Sequence, residues 1–313
     1  MEEPVYRYYS NGKLLITGEY LVLQGAKSLS LPTRAGQFLY VYKAAGGGLL
    51  HWTAKVLGAP WFQCTLDIGS WTVQDTDNEK LTVNLINLLK AASDLKGNTN
   101  WLEGISAVSE IGFDIDWGLG SSSSLISNIA WWAEVDPFKL FRLTSSGSGY
   151  DVASARSEGP ILYSTGIPAP VITEVNFHPD FTDHLAFVYL GRKQDSSVSV
   201  KNFLNNALVR DKDLDRITEI SEAVVVAGRL EDYTQLLLEH EQILGKILDR
   251  PPVKDVLFRD YPGMVKSLGA WGGDFVHVSF ESGQESAMGY FREKGLEIFI
   301  PYDEMIKSVS NER

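Results

Sequence analysis

The chain has 313 residues, of which 44% are hydrophobic, and its formal net charge is −12. This acidic balance argues against a basic surface for nucleic acid or an anionic membrane, and no apolar run approaches the roughly 18 residues of a membrane-spanning helix. Cys64 is the single cysteine, so a disulfide framework and a cysteine-based metal site are excluded. The five histidines show no paired spacing, so the sequence does not support zinc catalysis.

The first part of the chain reads mostly as strands. Residues 5–68 contain short runs rich in Val, Tyr, Phe and Leu that Gly, Asn and Pro interrupt, and residues 37–43 are the clearest run before a turn at 46–48. Leucines at helical spacing then predict a helix that follows capping residues at 75–77 and ends near Gly97. A further strand is predicted at 104–113.

A glycine- and serine-rich stretch at 117–125 lies between this strand and the next helix. Gly118 and Gly120 can adopt positive φ, which lets the backbone approach a ligand closely. The serines after Gly120 place N–H groups and hydroxyls at the start of an amphipathic helix. The stretch therefore predicts a phosphate-binding loop, although Gly and Ser also cluster in ordinary loops. It is neither a Walker A loop, since no Lys follows the second glycine, nor a nucleophile elbow.

The rest of the chain interleaves strands and helices. Pro137 is expected in the first turn of a short helix, and residues 145–151 form a second loop rich in Gly and Ser. The Gly and Pro content rises at 165–170, which predicts two domains, 1–165 and 166–313. The second domain is expected to have strands at 171–176, 186–190, 275–280 and 296–300, and helices from 197, at 213–228, at 231–248 and near 284. The fold class is therefore α+β.

Two further motifs flank these segments. Near the N-terminus, Gly12-Lys13 is followed by Gly18-Glu19, and near the C-terminus Gly269-Ala-Trp-Gly-Gly-Asp274 enters a predicted strand. Taken singly, Lys13 reads as a solvated strand residue and the glycines as turns.

In this order, together with Gly149-Tyr-Asp-Val-Ala153, these motifs resemble the GHMP kinase superfamily over nearly the whole chain. The stretch from Gly12 to Glu19 looks like the family's first motif, 118–122 like its ATP phosphate loop, and 269–274 like its C-terminal glycine motif. The resemblance is strongest to the mevalonate and phosphomevalonate kinase branch, especially bacterial GYDIA-type kinases. It implies a ribosomal-protein-S5-like N-terminal domain and a ferredoxin-like C-terminal domain.

The resemblance also implies Mg²⁺- and ATP-dependent phosphoryl transfer to a small acidic or hydroxylated acceptor, mevalonate or phosphomevalonate. Asp151 would orient and deprotonate the acceptor, and Lys13 would favour the ionised carboxylate and activate the attacking group. Ser122 and Glu19 would bind Mg²⁺. The nucleotide-binding residues would be Gly118, Leu119, Gly120, Ser121, Ser122, Ser123 and Ser124. The substrate-binding residues would be Glu19, Lys193, Ser196, Ser197, Gly272 and Gly273, with Arg192 and, more weakly, Lys266 adding positive charge.

Two departures from the family pattern leave alternatives open. Residues 138–143, where mevalonate kinases carry a second acidic Mg²⁺ ligand, contain no acidic residue, and the segment before Asp151 is short. A nucleotide-binding homologue with degenerate catalysis, a kinase for homoserine or a sugar, and a decarboxylase therefore remain as alternatives. A serine hydrolase using Ser148 lacks a nucleophile elbow and a nearby histidine. We expect a cytoplasmic monomer or homodimer without nucleic-acid or membrane partners.

Overall fold

The computed structural model describes residues 3–45, 47–192, 196–271 and 273–308. These residues form strands and helices throughout. The strands are β1 (Tyr6–Leu15), β2 (Ser28–Lys43), β3 (Leu49–Val56), β4 (Ala59–Asp67), β5 (Thr72–Thr76), β6 (Ile105–Ile111), β7 (Ile161–Ser164), β8 (Val171–Glu174), β9 (Leu185–Tyr189), β10 (Val265–Ser267), β11 (Phe275–Ser279) and β12 (Phe299–Pro301).

The helices are concentrated after residue 78. They are α1 (Glu79–Lys96), α2 (Ser121–Ala133), α3 (Pro137–Thr144), α4 (Tyr150–Arg156), α5 (Ser196–Asn206), α6 (Asp211–Val225), α7 (Leu230–Leu248), α8 (Val253–Leu257), α9 (Gln284–Glu293) and α10 (Tyr302–Met305). None of the described helices is long and apolar enough to cross a membrane, and the cytoplasmic location stays a prediction.

The chain forms two compact units, each made of several segments. The first consists of Met1–Gly12, Ala35–Ile115 and Leu119–Arg156, and the second of Lys13–Arg34, Asp116–Gly118 and Ser157–Arg313. The two units are not contiguous halves of the chain, and the predicted domain boundary near residue 165 stays a prediction.

In the first unit, helices cover a mixed sheet. The strand order is β5-β4-β3-β6-β2, in which β3 and β6 pair in parallel and the other neighbours pair antiparallel. Alternate residues of these strands point to one face, and there they meet the apolar stripes of α1 and α2. The shared core includes Leu39, Leu50, Leu89 and Ile129, each fully buried.

The ends of α1 show how local sequence sets the helix. The Asn78 side chain accepts a hydrogen bond from the Leu81 N–H at 3.1 Å, and Gly97 ends the helix in the left-handed conformation. The prediction that residues 75–77 cap this helix is wrong. Asp75 lies in β5, and Asp77 instead accepts from the Gln63 N–H at 2.9 Å.

The second unit contains a four-stranded antiparallel sheet in the order β12-β9-β11-β10. Helices α5 to α8 connect β9 to β10, and α9 connects β11 to β12, which is the β-α-β-β-α-β pattern of a ferredoxin-like domain. The ferredoxin-like prediction for this part of the chain is therefore confirmed. In the same unit, residues 28–30 of β2 pair with β7, and β7 pairs with β8.

Most predicted elements are present, with shifted ends. The last strand covers only Phe299–Pro301 instead of 296–300, and β8 ends at Glu174. The loop predicted at 145–151 ends earlier, because Tyr150 begins α4. The Gly and Ser residues indicate a loop. The helix nevertheless begins at Tyr150, two residues before its buried residues, Val152 to Ala155.

Candidate functional site

The start of α2 exposes backbone donors. Gly118 and Gly120 adopt φ values of +66° and +86°, and Gly120 is the N-cap residue, with no side chain capping the helix among the described residues. The first bond within the helix runs from the Ser124 N–H to the Gly120 carbonyl at 3.0 Å. The N–H groups of residues 121–123 therefore have no partner within the helix. Such a helix start attracts anions through its free donors and its dipole.

The serines of this turn lie in different environments. The Ser122 side chain is exposed, and those of Ser121 and Ser123 are half-buried. The Ser124 hydroxyl is fully buried and donates to Gln37 Oε1 at 2.5 Å, and a nucleotide contact by Ser124 stays a prediction. Leu119 is also buried, at 1% exposure.

Asp151 lies in the first turn of α4, in the first unit. The following residues, Val152 to Ala155, are buried and anchor this short helix, while Asp151 stays half-buried. The Asn11 amide donates to the Ser154 carbonyl at 3.2 Å and ties α4 to β1. Asp151 is thus a carboxylate on a fixed helix, and its role as a base stays a prediction.

In the second unit, Lys13 and Asp274 both contact Gly118. The Lys13 ammonium donates to the Gly118 carbonyl at 3.2 Å. A Cβ placed on Gly118 would lie only 2.6 Å from Asp274 Oδ2. Gly118 is therefore needed both for its positive φ and for the close approach of this carboxylate. Sequence reasoning assigned no role to Asp274, and the available signal was an acidic residue directly after two glycines at the start of a strand.

The C-terminal glycine motif is held by its backbone. The Tyr20 hydroxyl donates to the Ala270 carbonyl at 2.7 Å, and the Asp274 N–H donates to the Arg192 carbonyl at 2.6 Å. Gly269 adopts a φ of +62°, as expected for a turn that only glycine fits easily. Gly272, a predicted substrate contact, lies outside the described residues, and Gly273 is buried.

Glu19 and Lys266 form a buried ion pair in the second unit. Their exposures are 1% and 0%, and Lys266 Nζ donates to Glu19 Oε1 at 2.5 Å. His240 Nε2 accepts from the Gly18 N–H at 2.8 Å and lies 3.2 Å from Glu19 Oε2. Glu241, next to His240 on α7, accepts from the Ser267 N–H at 3.1 Å. His240 and Glu241 therefore both belong to the buried hydrogen-bonded cluster around Glu19 and Lys266.

Burial controls the protonation of this cluster. It raises the pKa of Glu19 to about 7 although Lys266 opposes the shift, and it raises the pKa of Glu241 in the same way. It also lowers the pKa of His240 well below its usual range, with a further contribution from Lys266. A role of Glu19 in substrate or Mg²⁺ binding, or of Lys266 in substrate binding, has no support from this environment.

Only some of the remaining residues predicted to bind substrate or metal lie in the described ranges. Lys193 lies outside the described residues, and Ser196 and Ser197 begin α5. No group of three or more His, Cys, Asp or Glu side chains in the described ranges is arranged to hold a metal ion. Mg²⁺ at a nucleotide takes most of its ligands from phosphates and water, so the exposed Ser122 hydroxyl fits as a single protein ligand. The buried Glu19 carboxylate does not.

No protein-family model and no curated protein sequence matches the chain. Solved structures do match it. Streptococcus pneumoniae phosphomevalonate kinase in complex with phosphomevalonate and AMPPNP matches with a TM-score of 0.69 at 17% identity, over 94% of this chain and 99% of the other. L. major mevalonate kinase in complex with R-mevalonate matches with a TM-score of 0.66 at 16% identity, over 95% of each chain.

A third similar structure is mevalonate diphosphate decarboxylase from Staphylococcus aureus, with a TM-score of 0.64 at 12% identity over 96% of each chain. At these identities the likeness establishes the fold. The chain therefore has the two-domain α+β fold of the GHMP kinases, as the order of its motifs predicts.

Proposed function

We propose that this protein is an ATP-dependent small-molecule kinase that transfers the γ-phosphoryl group to a hydroxyl or phosphate acceptor. The start of α2 carries the proposal. There the N–H groups of residues 121–123 have no partner within the helix, and they follow two glycines at positive φ. Backbone donors of this kind are suited to nucleotide phosphates, because they need no basic side chain in an otherwise acidic protein.

The residues around this loop supply what phosphoryl transfer requires, namely positioned phosphates, neutralised charge and an oriented acceptor. In the proposal, the amides of 121–123 hold the phosphates, and the motif resemblance assigns the positive charge to Lys13, which in the second unit donates to the Gly118 carbonyl. Mg²⁺, when bound, neutralises phosphate charge, and the Ser122 hydroxyl is its protein ligand. Asp151 orients the acceptor and takes its proton.

We further propose mevalonate or phosphomevalonate as the acceptor, supported by the motif resemblance and by the complexes of the similar structures. The two acceptors make different demands on Asp151. A hydroxyl must lose a proton during transfer, whereas a phosphate monoester, with a second pKa of about 6, is mostly ionised at neutral pH. The loss caused by Asp151→Asn will therefore be larger for a hydroxyl acceptor.

An ADP-release assay with mevalonate, phosphomevalonate, homoserine and sugars tests the proposal. We expect turnover with one acceptor, and for a hydroxyl acceptor a decrease of about 10²–10⁴-fold in kcat for Asp151→Asn with unchanged ATP affinity. Asp94→Asn removes an exposed carboxylate from α1 and serves as the control for the charge change. Absence of phosphoryl transfer to every acceptor would refute the kinase.

Two observations favour second candidates that the same assay separates. Helix α3, Pro137–Thr144, contains no acidic residue, which favours a nucleotide-binding protein with degenerate catalysis. That protein would bind ATP tightly with negligible turnover in both the wild type and Asp151→Asn. The similarity to a decarboxylase structure favours the other candidate, which would release CO₂ from mevalonate diphosphate.

A further inference from the structure

In the first unit, the C-terminal residue of α4 is fastened to α2. The Arg156 guanidinium donates from Nη2 to the Ser127 carbonyl at 2.8 Å and from Nε to the Ser127 hydroxyl at 3.1 Å. It also lies 5.3 Å from the centre of the Trp131 ring. Ser127 and Trp131 both belong to α2. Although Arg156 is partly exposed, three contacts thus direct it to one neighbouring helix.

The hydrogen bonds continue from Ser127 into β1. The hydroxyls of Ser127 and Ser10 are 2.9 Å apart, and the Ser10 hydroxyl is 2.8 Å from Asn128 Oδ1. The Ser10 hydroxyl is the donor in both contacts, so its one proton is shared between Ser127 Oγ and Asn128 Oδ1. The Ser127 hydroxyl therefore accepts from both Arg156 and Ser10. All three β1 and α2 side chains are fully buried.

The same hydrogen bonds reach the start of α2. The Asn128 amide donates to the Gln37 carbonyl at 2.9 Å, and the Ser124 hydroxyl donates to Gln37 Oε1 at 2.5 Å. The Gln37 amide in turn donates to the Ser109 hydroxyl at 2.6 Å. The first turn of α2, with its unpaired amides, is therefore anchored to β2 and β6 through Gln37.

Helix α4 is too short to move independently at its two ends. It has 7 residues, and Asp151 lies five residues before Arg156, a rise of about 7.5 Å. Ser154 is held by Asn11, the neighbour of Ser10 on β1. Fixing Arg156 and Ser154 thereby fixes Asp151.

We propose that Arg156 and Ser127 are positioning residues, which set the spacing between the phosphate-binding start of α2 and Asp151 on α4. The effect of this positioning on turnover rests on the proposed kinase function, whereas the coupling of α2 to α4 does not. Neither residue is assigned a contact with the substrate. Their effect on turnover arises because phosphoryl transfer requires the acceptor and the nucleotide at a set distance.

Ser127→Ala and Ser93→Ala form a matched pair for the test. Ser93 lies on α1 at 4% exposure, and its hydroxyl has no hydrogen-bond partner among the described residues. Both variants delete a buried hydroxyl, but only Ser127→Ala removes the hydroxyl that joins Arg156 to Ser10, while the bond from Arg156 Nη2 to the Ser127 carbonyl remains. We expect kcat to fall about 10–100-fold for Ser127→Ala, with ATP affinity unchanged, because an error of 1 Å in alignment has this scale of effect. Ser93→Ala is expected to retain the wild-type kcat.

Arg156 provides a graded test of the same link. Arg156→Met removes both hydrogen bonds to Ser127, while Arg156→Lys can restore one donor. The expected kcat of Arg156→Lys lies between those of Arg156→Met and the wild type. Arg142→Met changes an exposed arginine of α3 and is the control. Equal changes in kcat and ATP affinity, or equal effects of the Ser127 and Ser93 variants, would overturn the proposal.

Amide hydrogen exchange separates this inference from the kinase proposal. In Ser127→Ala, we expect faster exchange at the hydrogen-bonded amides of both 124–128 and 152–154, and in Ser93→Ala at neither segment. If wild type transfers no phosphate, the kinase proposal fails and exchange alone decides the coupling. If wild type is active and exchange at the two segments is unchanged in Ser127→Ala, the positioning role fails while the kinase proposal stands.

Discussion

The start of α2 and the Lys266–Glu19 pair were both predicted from the sequence to bind ligands, but the structure places them in different environments. At the start of α2, backbone donors lack partners within the helix and Ser122 is exposed. In the second unit, Glu19 and Lys266 are at most 1% exposed and bind each other. A ligand can use the first set directly, but it would have to separate a buried ion pair to use the second. Burial with a counter-ion therefore distinguishes a structural motif residue from a ligand.

The largest predicted effect is the loss of the buried ammonium. Lys266→Met leaves Glu19 and Glu241 buried without a positive charge, so the free energy of unfolding should fall by about 3–5 kcal/mol. Lys27→Met breaks an exposed ion pair with Glu222 and should cost about 1 kcal/mol or less. Urea denaturation of both variants measures the difference. Similar losses would show that the Glu19 pair is not structural.

The next effect concerns Gly118, which lies just before the first turn of α2. Gly97→Ala places an L-residue at a φ of +84° with no atom within 4 Å of the new Cβ, which should cost about 1–2 kcal/mol. Gly118→Ala adds a clash with Asp274 Oδ2, so its cost should be about 1–3 kcal/mol higher. Thermal denaturation gives both values. If adding Asp274→Ala to Gly118→Ala does not recover part of the extra loss, the carboxylate is not its cause.

A smaller effect should separate two serines of the same turn. Ser124→Ala leaves buried Gln37 Oε1 without this donor and should reduce stability by about 1–3 kcal/mol. Ser122→Ala, at an exposed position, should change stability by less than about 0.5 kcal/mol. In the proposed kinase, Ser122→Ala should instead raise the Mg²⁺ concentration at which turnover is half-maximal. Denaturation measures the stability of both variants, and Mg²⁺ titration measures turnover. A larger loss of stability in Ser122→Ala than in Ser124→Ala would contradict this prediction.

The smallest effect is in the pH dependence of stability. Since burial raises the pKa of Glu19 to about 7, the folded protein binds an extra proton below that pH. This contribution is present at acidic pH and is lost as the pH rises toward and past 7. His240 and His277, whose pKa values burial lowers, contribute the opposite slope below about pH 6.5.

A comparison of variants isolates Glu19 from these histidines. Glu19→Gln mimics the protonated form at every pH, so the wild-type Tm minus the variant Tm should decrease from pH 5 to pH 8. Glu103→Gln, at an exposed position, should leave the pH slope unchanged. A constant difference for Glu19→Gln would mean that Glu19 stays ionised throughout this range.

The sequence by itself determined most elements and the glycine turn before α2, because their signals are local. Gly118 and Gly120 are suited to positive φ, and the apolar spacing after them defines α2. The serines carried a further signal. Ser124, Ser127 and Asn128 are three and four residues apart and share one helix face, which the structure buries.

Only the tertiary structure decided which charged and polar groups lose contact with water. Glu19 and Lys266 are 247 residues apart, and no local pattern predicts that two such side chains will meet in a buried pair. The approach of Asp274 to Gly118 likewise joins distant segments. Local sequence sets backbone conformation and helix faces, whereas burial and pairing depend on which distant segments pack together.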